Sequence, residues 1–195
     1  MISAVVLPAG RAQRASEPNL STSPGEKPPF QRILESALAS ALDEIVCVIG
    51  DLNVLRQQNK LADKRLLGLL NPAAGRDRGA SMIAGLWATH PNSEGVMFLA
   101  DDQPFIRTEL INALIDRFHR GPELIVASSF NGEARNPLLF RRELFAELLQ
   151  LTGDHHERAL LPKYERQTAL VEWQEELSFL QLDDQKSFER SRELT

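Results

Sequence analysis

Short, nearly unbroken apolar runs alternate along this chain with longer segments whose apolar residues recur every three or four positions. The runs at 3–7, 45–49, 66–70, 96–99 and 124–127 have the length and composition of strands buried on both faces. Between them, residues 30–42 place Ile33, Leu34, Ala37, Leu38 and Ala41 on one side of a helix. Residues 80–89 do the same with Met82, Ile83, Leu86 and Trp87, and residues 108–119 with Leu110, Ile111, Leu114, Ile115 and Phe118. Asp51 is placed to cap a helix after the second strand. Residues 138–140 read as a sixth strand and 143–149 as helical. Residues 179–182 read as a short strand ahead of a charged helix at 186–193.

Strands that alternate with helices predict a single three-layer α/β/α domain around a mostly parallel, Rossmann-like sheet. In such sheets ligands sit beyond the carboxyl ends of the strands. No internal repeat or linker divides the 195 residues. Residues 17–29, rich in Pro, Ser and Gly, read as a loop over that edge rather than a boundary.

Composition narrows the partners. With 22 Lys and Arg against 27 Asp and Glu, the net charge is −5, and nothing points to a nucleic-acid backbone as ligand. No run approaches membrane-spanning length and no leader pattern opens the chain, so the expected setting is the cytoplasm, with no membrane contact. Cys47, the single cysteine, lies within the 45–49 run and reads as core packing in a reducing compartment.

Two strand-end loops carry candidate chemistry. The first strand empties into Leu7-Pro8-Ala9-Gly10, then Arg11 and Arg14. Small residues let backbone N–H groups approach an anion, and arginines supply forked donors, so this loop is suited to phosphates. The 96–99 run leads into Asp101-Asp102-Gln103-Pro104. A phosphate loop and a strand-end carboxylate on one sheet edge together indicate a metal–nucleotide site. Competing readings stand beside these. Asp102 is also placed to cap a helix beginning near Pro104, Arg11 and Arg14 to be solvated, and Asp183 to be a turn residue. Asn136-Pro137 also reads as a turn before a strand, and Asp154 as a helix cap. Arg76 and Arg78 suit either phosphate contact or a solvated loop. His155-His156 lacks the companions of a zinc site. Trp87 and Trp173 read as packing rather than as stacking platforms.

The order of these motifs resembles the molybdenum cofactor cytidylyltransferases, within the nucleotidyltransferases that activate pterin cofactors and sugars. That family opens with Leu-Ala-Ala-Gly, an arginine, Met-Gly and a lysine. Here Leu7-Pro8-Ala9-Gly10 and Arg14 match, Ala15-Ser16 stands for Met-Gly, and Asn19 stands where the family has lysine. Gly25-Glu26-Lys27-Pro28 resembles its Gly-x-x-Pro. Asn71-Pro72, Ser81 and Gly85-Leu86 resemble its Asn…Ser…Gly-Leu segment, and Asp102-Gln103-Pro104 its Asp-Gln-Pro. Gly132 and Asn136-Pro137 resemble a substrate loop that has another glycine at Arg135. Gly153-Asp154 and Arg158 resemble a Gly-Asp…Arg motif, and Gln181-Leu182-Asp183 an Asp-Ile-Asp.

The resemblance implies a nucleotidyltransferase-type sheet, with a nucleotide-binding half at 1–105 and an acceptor-binding half at 106–195. It implies transfer of CMP from CTP to a molybdopterin-type cofactor, with release of pyrophosphate. Arg14 and Asp102 would be catalytic. Leu7, Pro8, Ala9, Gly10, Arg11, Asn71 and Ser81 would hold the nucleotide, and Asp102 and Asp183 would bind Mg2+. Asn136, Pro137, Asp154 and Arg158 would face the acceptor. A molybdenum enzyme or its maturation chaperone is the implied protein partner. Two alternatives stay open: guanylyl or other nucleotidyl transfer to molybdopterin or a sugar phosphate, and a noncatalytic member that binds nucleotide or cofactor. Asn19, Ala15-Ser16 and Arg135 favour the latter.

Overall fold

The computed structural model describes residues 1–7, 29–50, 63–72, 74, 77–151 and 157–182. Its strands are β1 (Ile2–Leu7), β2 (Glu44–Ile49), β3 (Leu66–Leu70), β4 (Gly95–Ala100), β5 (Ile125–Phe130), β6 (Glu133–Arg141) and β7 (Thr168–Glu172). The α-helices are α1 (Pro29–Leu38), α2 (Arg78–Ala88), α3 (Thr108–Arg120) and the single turn α4 (Phe145–Leu148). The seven strands among the described residues form one sheet in the order β3-β2-β1-β4-β6-β5-β7. Every neighbouring pair is parallel except those that involve β6, which runs against both β4 and β5. The chain therefore has the single mostly parallel α/β sheet that its alternating pattern predicts.

β1, β2 and β4 are almost wholly apolar because they are covered on both sides. Along β1, Ile2, Ala4 and Val6 join α1 and α3 in one core, through Ile33, Leu34, Leu110, Ile111, Leu114 and Phe118. Val5 and Leu7 point the other way, to Met82 and Leu86 of α2 and Leu144 and Leu148 around α4. The two-residue period of the strand thus serves two cores. Antiparallel β4 and β6 add an edge-to-face pair between Phe98 and Phe140, with ring centroids 5.9 Å apart. Cys47 is fully buried on the α1 side.

Several elements differ from the pattern-based reading, each through a long-range contact. The first helix ends at Leu38 rather than continuing to residue 42. There Arg65 donates to the carbonyls of Leu38, Ser40 and Leu42, at 2.5, 3.1 and 3.1 Å, and replaces the helical ladder. The segment expected as a strand at 179–182 is not one. Glu176–Phe179 is a 3-10 turn, and the extra strand is β7, paired in parallel with β5. Trp87, expected to pack, is 73% exposed on the outer side of α2. Residues 142–149 divide into a 3-10 turn, Arg142–Leu144, and α4. The helix expected after Asp51 lies outside the described residues. Among the described residues no helix is long and apolar enough to cross a membrane.

Candidate functional site

The carboxyl ends of β1 and β4 lie side by side, with Leu7 paired to Ala100. The Asp101 N–H donates to the Leu7 carbonyl at 3.1 Å, so the register continues one residue past the strands. The Asp101–Pro104 turn therefore stands directly beside the point where the chain leaves β1 toward Pro8. Asp101, Gln103 and Pro104 are buried, and Asp102 is half-buried. The helix after this turn begins at Thr108 with Arg107 at its N-cap, so capping does not explain Asp102.

The carboxyl-terminal segment returns to the same edge. Trp173 N–H donates to the Ser129 carbonyl at 2.9 Å, and its indole N–H reaches Ser178 Oγ at 3.2 Å. Phe179 packs its ring on Phe130. Arg107 pairs with Glu175. The Leu182 N–H then donates to the Asp102 carbonyl at 2.7 Å. The residue after Leu182 is Asp183, which lies outside the described residues, as do Pro8, Ala9, Gly10, Arg11, Arg14 and Asp154.

The β3 end supplies the next wall. Asn71 donates its N–H to the Ile49 carbonyl at 2.8 Å and accepts from Ala74 N–H, forming the turn that leads to α2. Asp77 caps α2 through its side chain, which accepts from Ala80 N–H at 2.9 Å. Ser81 is fully buried and donates its hydroxyl to the Asp77 carbonyl at 3.0 Å. In this arrangement Ser81 secures the first turn of α2.

Opposite, β6 begins at the same edge because it runs antiparallel to β4. Asn131 and Gly132, both at positive φ (52° and 77°), make the two-residue turn from β5. Glu172 of β7 holds that turn: its Oε2 accepts from Ser129 Oγ at 2.7 Å and Gly132 N–H at 3.3 Å. The Ser129 hydrogen bond, ahead of a smaller opposing desolvation, keeps the Glu172 carboxyl below its ordinary value. Asn136 and buried Pro137 follow. Arg158 donates to Asn136 Oδ1 at 3.3 Å and to the Ala134 carbonyl at 3.1 Å. Asn136 in turn donates to Glu157 Oε1 at 3.3 Å, and Arg78 of α2 pairs with the same oxygen at 3.5 Å. Glu157, only 1% exposed, was not foreseen. Its neighbours in sequence, Glu157-Arg158-Ala159, give no sign that this carboxylate points inward.

Of the expected site residues that are described, Leu7, Asn71, Ser81, Asp102, Asn136, Pro137 and Arg158 all lie along this edge. Among the described residues, no three His, Cys, Asp or Glu side chains gather as a metal site. The donor chemistry still suits a magnesium-type ion, which takes one or two carboxylates and completes its shell with phosphate oxygens and water. Asp102 is a half-buried carboxylate at the edge, and the 2.7 Å bond from Leu182 N–H is to the Asp102 main-chain carbonyl.

The sheet order and the carboxylate beyond a strand end are those of an α/β protein that takes its ligand at the carboxyl edge of the sheet. Residues 4–168 match the family described as MobA-like NTP transferase domain, and the chain belongs to that family. It is in class a nucleotidyltransferase. No curated protein matches it significantly. Among solved structures it is similar to Rv0371c of Mycobacterium tuberculosis, with 22% identity and a TM-score of 0.78 over 98% of this chain and 97% of that one. A manganese complex of that protein gives 21% identity and a TM-score of 0.73, over 98% and 97% of the two chains. The 4-diphosphocytidyl-2C-methyl-D-erythritolsynthase of Anaerococcus prevotii gives 18% and 0.78, over 100% and 96%. At these identities the likeness is one of fold.

Proposed function

We propose that this chain transfers CMP from CTP to the terminal phosphate of a molybdopterin-type acceptor. A phosphate oxygen of the acceptor attacks the α-phosphorus of CTP, the bond from that phosphorus to the bridging oxygen breaks, and pyrophosphate leaves. The reactants are both anions, so the protein's task is to align them and neutralise charge. The observation that carries the reading is the meeting of three segments at one edge: the end of β1, Asp102 after β4, and Leu182 before Asp183. Residues 1–105 form the nucleotide half and 106–195 the acceptor half.

In this reading the Leu7–Gly10 backbone and Asn71 hold the nucleotide, with Arg11 beside them, and Arg14 pairs with its β- and γ-phosphates. Ser81 acts by fixing the start of α2. Asp102 and Asp183 hold Mg2+, which when bound offsets phosphate charge as pyrophosphate departs. A manganese complex in a similar structure supports a divalent ion, and a cytidyl-transferring relative of the same fold supports CTP. Asn136, Pro137, Asp154 and Arg158 face the acceptor. A molybdenum enzyme or its chaperone is the proposed recipient of the product, in the cytoplasm.

Calorimetric titration with CTP, GTP, ATP and UTP, with and without Mg2+, tests this. Expected is Mg2+-dependent binding that favours CTP and is lost in Asp102→Asn, followed by pyrophosphate release with molybdopterin. A preference for GTP would reassign the base. Nucleotide binding without pyrophosphate release would make the chain a noncatalytic binder.

A further inference from the structure

Glu157 is buried behind the edge that carries Asn136 and Arg158, and its environment is unusual. Its carboxylate is 1% exposed and is shared by two cationic or amide donors from different elements. Arg78 comes from the first turn of α2, which follows β3 in the nucleotide half. Asn136 comes from β6 and passes the connection on to exposed Arg158. One buried oxygen thus ties two guanidinium groups from opposite sides of the edge into a continuous chain, Arg78–Glu157–Asn136–Arg158.

The pairing is incomplete. Among the described residues, no group hydrogen-bonds Glu157 Oε2 or Arg78 Nε, although both are buried. A side-on Arg–carboxylate clamp would use both of these atoms. Instead the guanidinium meets one oxygen at 3.5 Å, which leaves it oriented by the carboxylate but not consumed by it. A buried acceptor without a partner costs about 1–3 kcal/mol, so stability alone is a poor account of this carboxylate. Glu157 is also too enclosed to touch a ligand. What it can do is hold Arg78, and Arg158 through Asn136, at fixed positions.

We propose that Glu157 is a positioning residue for a two-arginine phosphate subsite, in which Arg78 and Arg158 together grip a phosphate group of the acceptor. This rests on the nucleotidyl-transfer reading for what the phosphate belongs to. The subsite itself rests on the four side chains. It assigns Arg78, on the nucleotide-side helix, to the acceptor. It also identifies a buried carboxylate that preorganises the site before the acceptor arrives.

The sign of one substitution separates positioning from mere charge. Removing a negative charge beside an anion site strengthens anion binding if charge is all that matters. If Glu157 orients the arginines, Glu157→Gln weakens binding despite the gain in electrostatics. The probes are inorganic phosphate and glycerol 3-phosphate, added to the full chain and followed through the Arg Nε–Hε NMR signals. Arg78→Lys and Arg158→Lys assign those signals. Expected in the unaltered chain is a shift of both signals on a common binding curve. In Glu157→Gln the Arg78 shift disappears and affinity falls about tenfold, the loss of roughly one charge-assisted contact. Glu157→Asp, which keeps the charge but not the reach, behaves like Glu157→Gln. Unmoved Arg78 and Arg158 signals in the unaltered chain overturn the subsite. Equal or tighter binding in Glu157→Gln, or wild-type behaviour in Glu157→Asp, overturns the positioning role. CTP titration with Mg2+ on the same samples keeps the two readings apart. Glu157→Gln leaves CTP binding in place, and an unaltered chain that ignores every nucleotide yet shows the phosphate response retains the subsite while losing the nucleotidyl-transfer reading.

Discussion

Gly85 leaves α2 no clearance above the sheet. A Cβ there would stand 2.3 Å from Val5 Cγ1 and 3.1 Å from Val48 Cγ2. Both neighbours are buried, β-branched strand residues with little rotamer freedom. Gly85→Ala must therefore push α2 outward, and overpacking of this kind costs about 1–3 kcal/mol. Urea denaturation is expected to show that loss, and a change near zero would mean α2 rides more loosely than its packing indicates. Glu172 makes a different prediction. Hydrogen bonds from Ser129 and the turn lower its pKa from the ordinary 4.5, so the folded state favours the charged form. That contribution is complete above the ordinary value and is lost as pH falls through the folded one. The stability difference between the unaltered chain and Glu172→Gln should be largest near neutrality and vanish in acid. A difference that stays constant across a pH series of denaturation curves would rule out this carboxylate as the cause.

The end of α1 is set by a partner distant in sequence. Arg65, aligned by Asp63 at 3.0 Å, supplies donors to the open Leu38 carbonyl at the helix end and to the Ser40 and Leu42 carbonyls just beyond it. The Asp63 hydrogen bond, against some desolvation, raises the Arg65 pKa further, so this cap stays charged throughout the working pH range. Arg65→Ala is expected to cost about 2 kcal/mol, the upper part of the range for hydrogen bonds from charged donors. Arg65→Lys should recover only part of it, because an ammonium cannot fork to carbonyls spread over residues 38–42. Equal stability of all three chains in chemical denaturation would show that water replaces the cap at no cost. The same logic governs the β5–β7 pair. Along β7 only Ala169 is fully buried, with Val171 packed partly against the α1–α3 core, so the strand is held by its backbone ladder to β5 together with a narrow core contact.

Across the whole molecule, the sheet order brings distant segments to one edge. Residue 182 reaches Asp102 only because β7 pairs with β5 and the chain then crosses over Phe130. Leu182→Pro removes the N–H that donates to the Asp102 carbonyl. If the carboxyl-terminal segment completes the metal site, Mg2+-dependent CTP affinity should fall several-fold while the thermal midpoint moves little. A thermal midpoint that drops sharply with unchanged affinity would assign the contact to stability alone.

Much of this was legible in the residues themselves. Strands covered on both faces are mainly apolar, with hydrogen-bonded exceptions such as Ser3 and Ser129, so β1, β2, β4 and the start of β5 stood out as runs. α2 and α3 declared themselves by helical spacing, because each presents one face to the sheet. Candidate residues at strand ends could be placed on one edge from strand direction alone. Long-range contacts decided the rest. The end of α1 depends on Arg65, and β7 is an edge strand whose Ala169-Leu170-Val171 run lacks the alternation of a half-buried strand, because Leu170 is apolar yet 47% exposed. The burial of Glu157 depends on Arg78, 79 residues away. Local pattern reports which face an element buries. It does not report which carboxylate a distant guanidinium will draw inside, because that pairing exists only once the sheet has brought α2 and β6 to the same edge.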